Sequence, residues 1–148
     1  MANLEPLIQS IPVAPLKLAS LEGCRTLADQ VNNYLVSFRH ESPTNVGQAD
    51  SLQGYCADSY LLECECPRFG SGEGKGVLKE SVRGCDLFIM VDVTNYSLTY
   101  RVNGYENHMS PDNHYQDLKR IISAANGKAR RINVIMPFLY EGRQHKRS

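Results

Sequence analysis

The sequence lacks an excess of either charge, a long apolar run and a basic N-terminal segment, and each absence excludes a class of protein. Its 148 residues balance 16 Lys and Arg against 16 Asp and Glu, so bulk charge does not draw it to nucleic acid or to an anionic membrane. No apolar run approaches the roughly 20 residues that cross a bilayer. The N-terminus lacks the features of a signal peptide, and Pro12 and Pro15 interrupt the segment after it. We expect one cytoplasmic globular domain with no nucleic-acid or membrane partner.

The cysteines are few and odd in number, which disfavours a disulfide framework. Five cysteines without a secretion signal indicate reduced thiols. Cys64 and Cys66 would share one face of a strand and could form a thiolate pair. The further zinc ligands are missing at the usual spacing, so we expect small apolar strand residues here and no metal site.

The N-terminal part contains one helix between two irregular segments. Residues 1–19 are interrupted by proline and are predicted to form an extended arm. From Ser20 onward, apolar residues recur at helical spacing as far as Phe38. Residues 41–54 are polar and predict a loop.

The remainder alternates between strands and helices. Strands are predicted over residues 58–66, 87–91 and 131–138, and the continuous apolar run of 87–91 is typical of a parallel strand buried on both faces. Residues 94–111 predict a long loop or hairpin, and a helix follows over 111–125. The last two strands and the helix between them form a βαβ unit.

Residues 70–76 (GSGEGKG) contain four glycines in seven positions and invite comparison with phosphate-binding loops. They do not match the P-loop, because Phe69 stands where that motif needs its first glycine. They also do not match the dinucleotide fingerprint, since the glycines alternate and a strand follows. We expect a turn in which the backbone closely approaches another part of the chain, with a flexible hairpin connection as the alternative.

The C-terminus carries a basic tail. Six Lys and Arg follow position 127 against the single acidic residue Glu141, and the tail leaves the carboxyl end of the last strand. Ligands of open parallel sheets gather at that edge, and cationic side chains there suit phosphates. A solvated terminus is the plain alternative. Nucleic-acid binding is a weaker hypothesis, because no RNA motif with interleaved aromatic residues accompanies the tail.

Three segments in order resemble ribose-phosphate pyrophosphokinase, the synthetase of phosphoribosyl pyrophosphate. Residues 68–73 (RFGSGE) resemble the family's R-F-S-D-G-E, residues 80–84 (ESVRG) its E-S-V-R-G, and residues 137–144 its P-Y-x-x-Y-x-R-Q. Residues 110–118 are similar to the start of the family's N-D-N-L-M-E-L helix. The resemblance covers about 60–148.

The resemblance implies an α/β, phosphoribosyltransferase-like domain whose largely parallel central sheet is flanked by helices. The family has two such domains, so we expect residues 20–148 to be the first and the second to be absent. The family's reaction transfers a diphosphoryl group from MgATP to ribose 5-phosphate, giving AMP and phosphoribosyl pyrophosphate. Magnesium therefore enters with ATP, and a homo-oligomer is implied.

The family's binding residues transfer onto matching positions. The resemblance places Arg143 and Gln144 at the Arg-Gln pair that holds ATP. It places Phe69 and Glu73 in a loop that reaches the adenine bound to a neighbouring subunit, by stacking and by accepting from the exocyclic amine.

Ser81 and Arg83 fall in a segment that contributes to a regulatory, inter-subunit phosphate or ADP site in some family members. Turn formation before the strand is the alternative role.

The chain departs from the family in several places. Ser71 replaces the usual Asp or Asn, and the extra glycines Gly74 and Gly76 are expected to loosen the loop. The connection over residues 94–109 is longer than usual, and Ser148 stands where the family has a carboxylate.

The leading hypothesis is an ATP-binding and assembly domain of a divergent ribose-phosphate pyrophosphokinase, without catalytic residues of its own. The family's metal-binding His, its catalytic loop and its acidic ribose 5-phosphate loop have no counterpart, and His108 and His114 precede the position of that His. We therefore expect no synthetase activity alone, and ribose 5-phosphate as a partner only with the missing domain. The alternative is a non-catalytic regulatory or oligomerisation module.

Overall fold

The computed structural model describes residues 12–41, 54–144 and 146. The elements in chain order are β1 (Leu16–Ser20), a 3₁₀ turn (Glu22–Cys24), α1 (Arg25–Glu41), β2 (Leu61–Leu62), β3 (Cys64–Glu65), β4 (Val77–Leu78), β5 (Asp86–Met90), β6 (Thr99–Val102), β7 (Tyr105–His108), α2 (Pro111–Ala125) and β8 (Arg131–Ile135). The predicted segment of residues 1–11, nearly all of the predicted loop of 41–54, and residues 145, 147 and 148 lie outside the described residues.

Four parallel strands form the central sheet, in the order β2-β1-β5-β8. Strand β5 lies inside the sheet, and its side chains Leu87 and Ile89 are fully buried. They face a core cluster that includes Leu118 and Ile121 of α2, whereas Met90 faces the opposite cluster beside α1. The α/β fold with a parallel sheet between helices is therefore confirmed, and the apolar run of residues 87–91 indicated it correctly.

The prediction of an irregular arm is wrong for residues 16–19. They belong to β1, which pairs with β2 on one side and β5 on the other. Pro12 and Pro15 precede the strand and do not interrupt it. The strand is only five residues long, and its burial depends on partners more than 40 residues away, which local pattern does not reveal.

The strand predicted over residues 58–66 is divided between two sheets. Strand β2 lies at the edge of the central sheet, and β3 pairs antiparallel with β4. Cys64 belongs to the core and Cys66 packs against it, so both thiols act as small apolar side chains. Burial raises the pKa of Cys64 to about 11 and that of Cys66 to about 12.

The helix predicted at residue 111 is confirmed as α2. The hydroxyl of Ser110 accepts from the Asn113 amide at 3.2 Å and caps its N-terminus, while Asn126 adopts the left-handed conformation at its C-terminus. The long connection before it contains the β6–β7 hairpin, which turns through Asn103 and Gly104 at positive φ.

The first predicted helix begins later than Ser20, with the 3₁₀ turn, and its apolar residue Val31 packs against the core, as the helical spacing predicted. Ala28 and Asn32 are buried, whereas Leu27 is 40% exposed. The Asn32 amide oxygen accepts from the Tyr60 amide at 2.8 Å, which satisfies a polar group in the interior. Neither α1 nor α2 is long and apolar enough to cross a membrane, and the same holds for every helix in the described residues.

Candidate functional site

The chain leaves the carboxyl end of β8 and forms a tight turn that carries Arg143 and Gln144. The Gly142 amide donates to Leu139 O at 3.1 Å, and the Gln144 amide donates to Glu141 O at 2.9 Å. Both predicted side chains are exposed. The turn therefore presents a cation and an amide at the edge of a parallel sheet where ligands commonly bind.

Tyr140 packs this turn against α2 and hydrogen-bonds it there. Its ring stacks on Tyr115 with centroids 4.1 Å apart and planes 7° apart, and its hydroxyl donates to Asp112 at 2.6 Å. The hydrogen bond to the Asp112 carboxylate raises the pKa of Tyr140 from 10.0 to about 12, so the hydroxyl remains a neutral donor well into the alkaline range. Ring stacking and a charge-assisted hydrogen bond together fix the point from which the turn projects.

The glycine-rich segment forms a small hairpin between β3 and β4. The Phe69 amide donates to Glu73 O at 2.7 Å, and the Gly72 amide donates back to Phe69 O at 2.9 Å. Ser71, which replaces an acidic or amide residue of the family pattern, donates its hydroxyl to the Glu73 carboxylate at 2.8 Å. Phe69, the first residue of the loop, is 55% exposed. The two predicted loop residues thus point their functional groups toward solvent from a closed turn.

A buried ion cluster, which sequence reasoning missed, lies at the base of this hairpin. Arg68 donates two hydrogen bonds to Asp117, at 2.7 and 2.9 Å, and Arg120 donates a third at 2.6 Å. The Arg68 and Asp117 side chains are only 7% and 6% exposed. Arg68 and Asp117 lie 49 residues apart in sequence, so neither a motif nor a periodicity connects them.

The expectation that Gly74 and Gly76 loosen the loop is wrong. A side chain at Gly74 would overlap the guanidinium groups of Arg68 and Arg120, and one at Gly76 would overlap the main-chain carbonyl of Arg120. These glycines let the returning strand pack directly against α2, in agreement with the expected close approach of the backbone to another part of the chain. They tighten the β3–β4 hairpin and its flanking residues (64–79), the glycine-rich arm.

Ser81 and Arg83 occupy a separate turn before β5. The Ser81 hydroxyl accepts from the Arg83 amide at 3.3 Å, and both residues are exposed while Val82 between them is buried. The Gly84 amide donates to Lys128 O at 2.9 Å, which places this turn at the amino ends of β5 and β8, whereas Arg143 follows the carboxyl end of β8. The geometry is compatible with both predicted roles, phosphate binding and turn formation.

Within one copy, the two halves of the predicted ATP site follow strands at different edges of the central sheet. The hairpin that carries Phe69 follows β2 at one edge of the sheet, and the turn that carries Arg143 follows β8 at the other. Three strand spacings of about 4.8 Å, or roughly 14 Å, separate those edges. The attachment points Tyr115 and Asp117 are two positions apart on α2, which rotates them by about 200° around the helix axis.

Two clefts lie near these elements, and neither is lined by a predicted site residue. One, of about 310 Å³, lies between the β6–β7 hairpin and α2 and includes Arg25, Tyr100 and His114. Another, of about 430 Å³, is largely apolar and lies between α1 and the sheet. The predicted binding residues therefore occupy exposed turns, a geometry that a second copy or a second domain could close.

The described residues do not fit a metal centre. No group of three or more His, Cys, Asp or Glu side chains among them is arranged to hold an ion. His114 is buried with Nε2 at 2.6 Å from Asn95 O, and His108 stacks on Tyr96. Both histidines therefore serve the packing of the hairpin.

Comparison with known proteins agrees with this fold. A family model described as the N-terminal domain of ribose phosphate pyrophosphokinase matches residues 16–148, beginning at the first residue of β1. The crystal structure of phosphoribosylpyrophosphate synthetase from Mycobacterium smegmatis is similar with a TM-score of 0.58 and 24% sequence identity. The match covers 90% of this chain and 33% of that one, so the chain spans about a third of the length of this relative. Comparison with curated proteins gave no match.

Proposed function

Since the chain belongs to the family of the N-terminal domain of ribose phosphate pyrophosphokinase, we propose that it is the ATP-binding and assembly part of such an enzyme. The complete reaction would convert ATP and ribose 5-phosphate to AMP and phosphoribosyl pyrophosphate. Catalysis of that transfer needs cationic groups around phosphates and a second substrate site. Only the first of these is proposed for this chain.

The observation that carries the proposal is the anchored turn after β8. Tyr140, held by Tyr115 and Asp112, sets the direction from which Arg143 and Gln144 project at the carboxyl edge of the sheet. A guanidinium grips phosphate oxygens or stacks on a base, and an amide reads a base edge. In this proposal Arg143 and Gln144 hold the nucleotide, and magnesium arrives as part of the substrate, on the ATP phosphates.

The adenine contact is proposed to come from another copy. Phe69 would stack on the base, and Glu73 would accept from the exocyclic amine of an ATP held by its neighbour. The separation of the two sheet edges supports this arrangement, because one copy presents the two halves in different directions. A symmetric pair of copies would form two equivalent sites, each with one half from each chain.

A tryptophan reporter tests nucleotide binding. The chain has no tryptophan, so Phe69→Trp gives a single indole whose emission should be quenched when MgATP stacks on it. Adding Arg143→Ala should weaken this quenching, since a charge-assisted phosphate contact contributes roughly 1.5–3 kcal/mol. Arg130→Ala is the matched control, because it removes an exposed Arg just before the amino end of β8, the opposite end of the strand from Arg143, and should leave the titration unchanged. Equal weakening by both variants would show nonspecific charge attraction and refute the site.

Complementation tests the sharing between copies. Phe69→Ala and Arg143→Ala chains should each bind MgATP poorly when alone. After mixing and subunit exchange in a symmetric pair, about a quarter of the sites should regain both halves. Binding that stays absent in a mixture shown to exchange would place both halves in one copy, contrary to the proposal.

A second candidate is a non-catalytic regulatory or oligomerisation module. The exposed Ser81 and Arg83, on a turn away from the ATP turn, favour it as a contact or phosphate surface. Both candidates predict no AMP from ATP and ribose 5-phosphate with this chain alone. They differ in the MgATP titration, because only the ATP-binding domain requires Arg143 to bind the nucleotide. Arg143→Ala should therefore alter the titration in the first case and not in the second.

A further inference from the structure

We propose that Arg68 is a positioning residue that fixes the direction of the loop formed by residues 69–73. The role of that loop in binding adenine rests on the proposed function, whereas the fixing of its direction does not. Arg68 immediately precedes Phe69 and pairs with Gly74 through an isolated β-bridge, so it forms the base of the loop. A constraint on this side chain is therefore transmitted directly to the loop.

The constraint comes from a guanidinium held on several sides. Two of its nitrogens bind the two carboxylate oxygens of Asp117 at 2.7 and 2.9 Å, and its carbon lies 5.1 Å from the centre of the Tyr100 ring. A bidentate pair fixes both distance and angle, and stacking on an aromatic ring fixes the plane of the guanidinium. The Arg68 side chain therefore has one preferred orientation.

The groups that hold Arg68 come from two other elements of the fold, α2 and β6. Asp117 comes from α2 and also accepts from Arg120, while Tyr100 comes from β6. A methyl group added to Gly72, at the tip of the loop, would lie in ordinary van der Waals contact with Val102 of β6, at 3.7 Å. The hairpin and the helix thus hold the loop from two directions, with Arg68 at the common point.

Amide hydrogen exchange measures the effect without any nucleotide. The amides of Phe69, Gly72 and Lys75 all donate to carbonyls within the glycine-rich arm and should be protected from exchange with solvent. Arg68→Lys keeps the positive charge but cannot form the two parallel hydrogen bonds to Asp117. Asp117→Asn keeps the shape of the side chain but removes its negative charge. Both variants should exchange faster at these three amides.

The central sheet supplies the internal control. The amides of Leu18, Asp86 and Val91 donate to other strands or to the segments beside them and report on the whole fold. They should keep their protection in Arg68→Lys. Lys79→Ala is the matched variant, because it removes an exposed ion pair with Glu65 in the glycine-rich arm. It should change the exchange of neither the loop amides nor the sheet amides.

The outcomes are distinct. Wild-type exchange at the loop amides in folded Arg68→Lys would overturn the proposal. Equal loss of protection in loop and sheet would also overturn it, by showing that Arg68 supports the whole fold. Combining Arg68→Lys with Phe69→Trp adds nanosecond anisotropy, which should gain a fast component from local loop motion. If the loop becomes mobile but MgATP quenching keeps its midpoint, positioning stands and the proposed adenine contact fails.

Discussion

Replacing Gly76 with alanine should destabilise the fold more than replacing Gly70, which lies in the same glycine-rich arm. A methyl group at Gly76 would overlap the carbonyl of Arg120 and approach the Ile121 amide to 2.9 Å. These are main-chain atoms of α2, which have no rotamer that moves them aside. Ile121 is fully buried, so a shift of the helix would also disturb the core.

The cost follows from overpacking. Insertion of a methylene into a packed interior costs about 1–3 kcal/mol, and contact with fixed backbone places Gly76→Ala at about 3 kcal/mol. Gly70 is the matched position, because its surroundings are open and its φ is not positive. Alanine there reduces the freedom of the unfolded chain and should stabilise by up to about 1 kcal/mol.

Urea unfolding followed by circular dichroism measures both effects. With a slope of about 2 kcal/mol per molar urea, Gly76→Ala should lower the midpoint by about 1.5 M, whereas Gly70→Ala should leave it unchanged or raise it slightly. Equal midpoints for the two variants would refute the close approach of the arm to α2. A changed slope would indicate an altered denatured or native state and would require calorimetry to separate the two.

Three other predictions concern the cap, the anchor and the thiols. Ser110→Ala should cost about 1 kcal/mol in urea unfolding by removing the N-cap of α2. Tyr140 has a pKa of about 12 in the folded chain against 10.0 ordinarily, so its hydrogen bond to Asp112 stabilises fully below pH 10 and is lost as pH rises through 12. The difference in unfolding free energy between wild type and Tyr140→Phe should therefore narrow from pH 10 to 12; a constant difference would contradict the assigned bond. Of the five cysteines, exposed Cys56 should react rapidly with a thiol reagent, and its replacement by serine should abolish the fast phase. Cys66, whose pKa is about 12, should react only slowly, and a fast phase that survives the serine replacement would contradict this.

The parts of the fold that were predictable are those in which local chemistry and tertiary structure agree. The apolar run around Ile89 permits little besides a buried strand, and Ser110 and Asn126 bound α2 with standard caps. Leu16–Ser20 was missed because a short strand acquires its identity from its neighbours. The segment around Glu63 was read as one strand because sequence alone does not show that its two ends join different sheets.

The candidate site was predictable only in its exposed residues. Phe69 and Arg143 were found because they belong to short segments with a family pattern. Asp117 was not, since a buried carboxylate on a helix resembles a surface residue until its partner is known. The glycines at 74 and 76 were misinterpreted for a related reason. Sequence shows that glycine permits an unusual backbone, but only structure shows whether the backbone is unusual or the space is occupied.

Helix α2 explains why the two candidate binding turns lie apart in a single copy. Its buried stripe, with Leu118 and Ile121, packs on the sheet, which leaves one flank for Asp117 and the opposite flank for Tyr115. Each flank holds one candidate binding turn, through an ion cluster on one side and stacked rings on the other. Each turn therefore has a fixed position, but the two lie on different sides of the helix. A substitution that weakens the ion cluster should leave the stacked rings intact, and the reverse should also hold. In the proposed assembly, two copies place opposite flanks of α2 together, so that one nucleotide contacts a turn from each copy and the helix determines the geometry of the site.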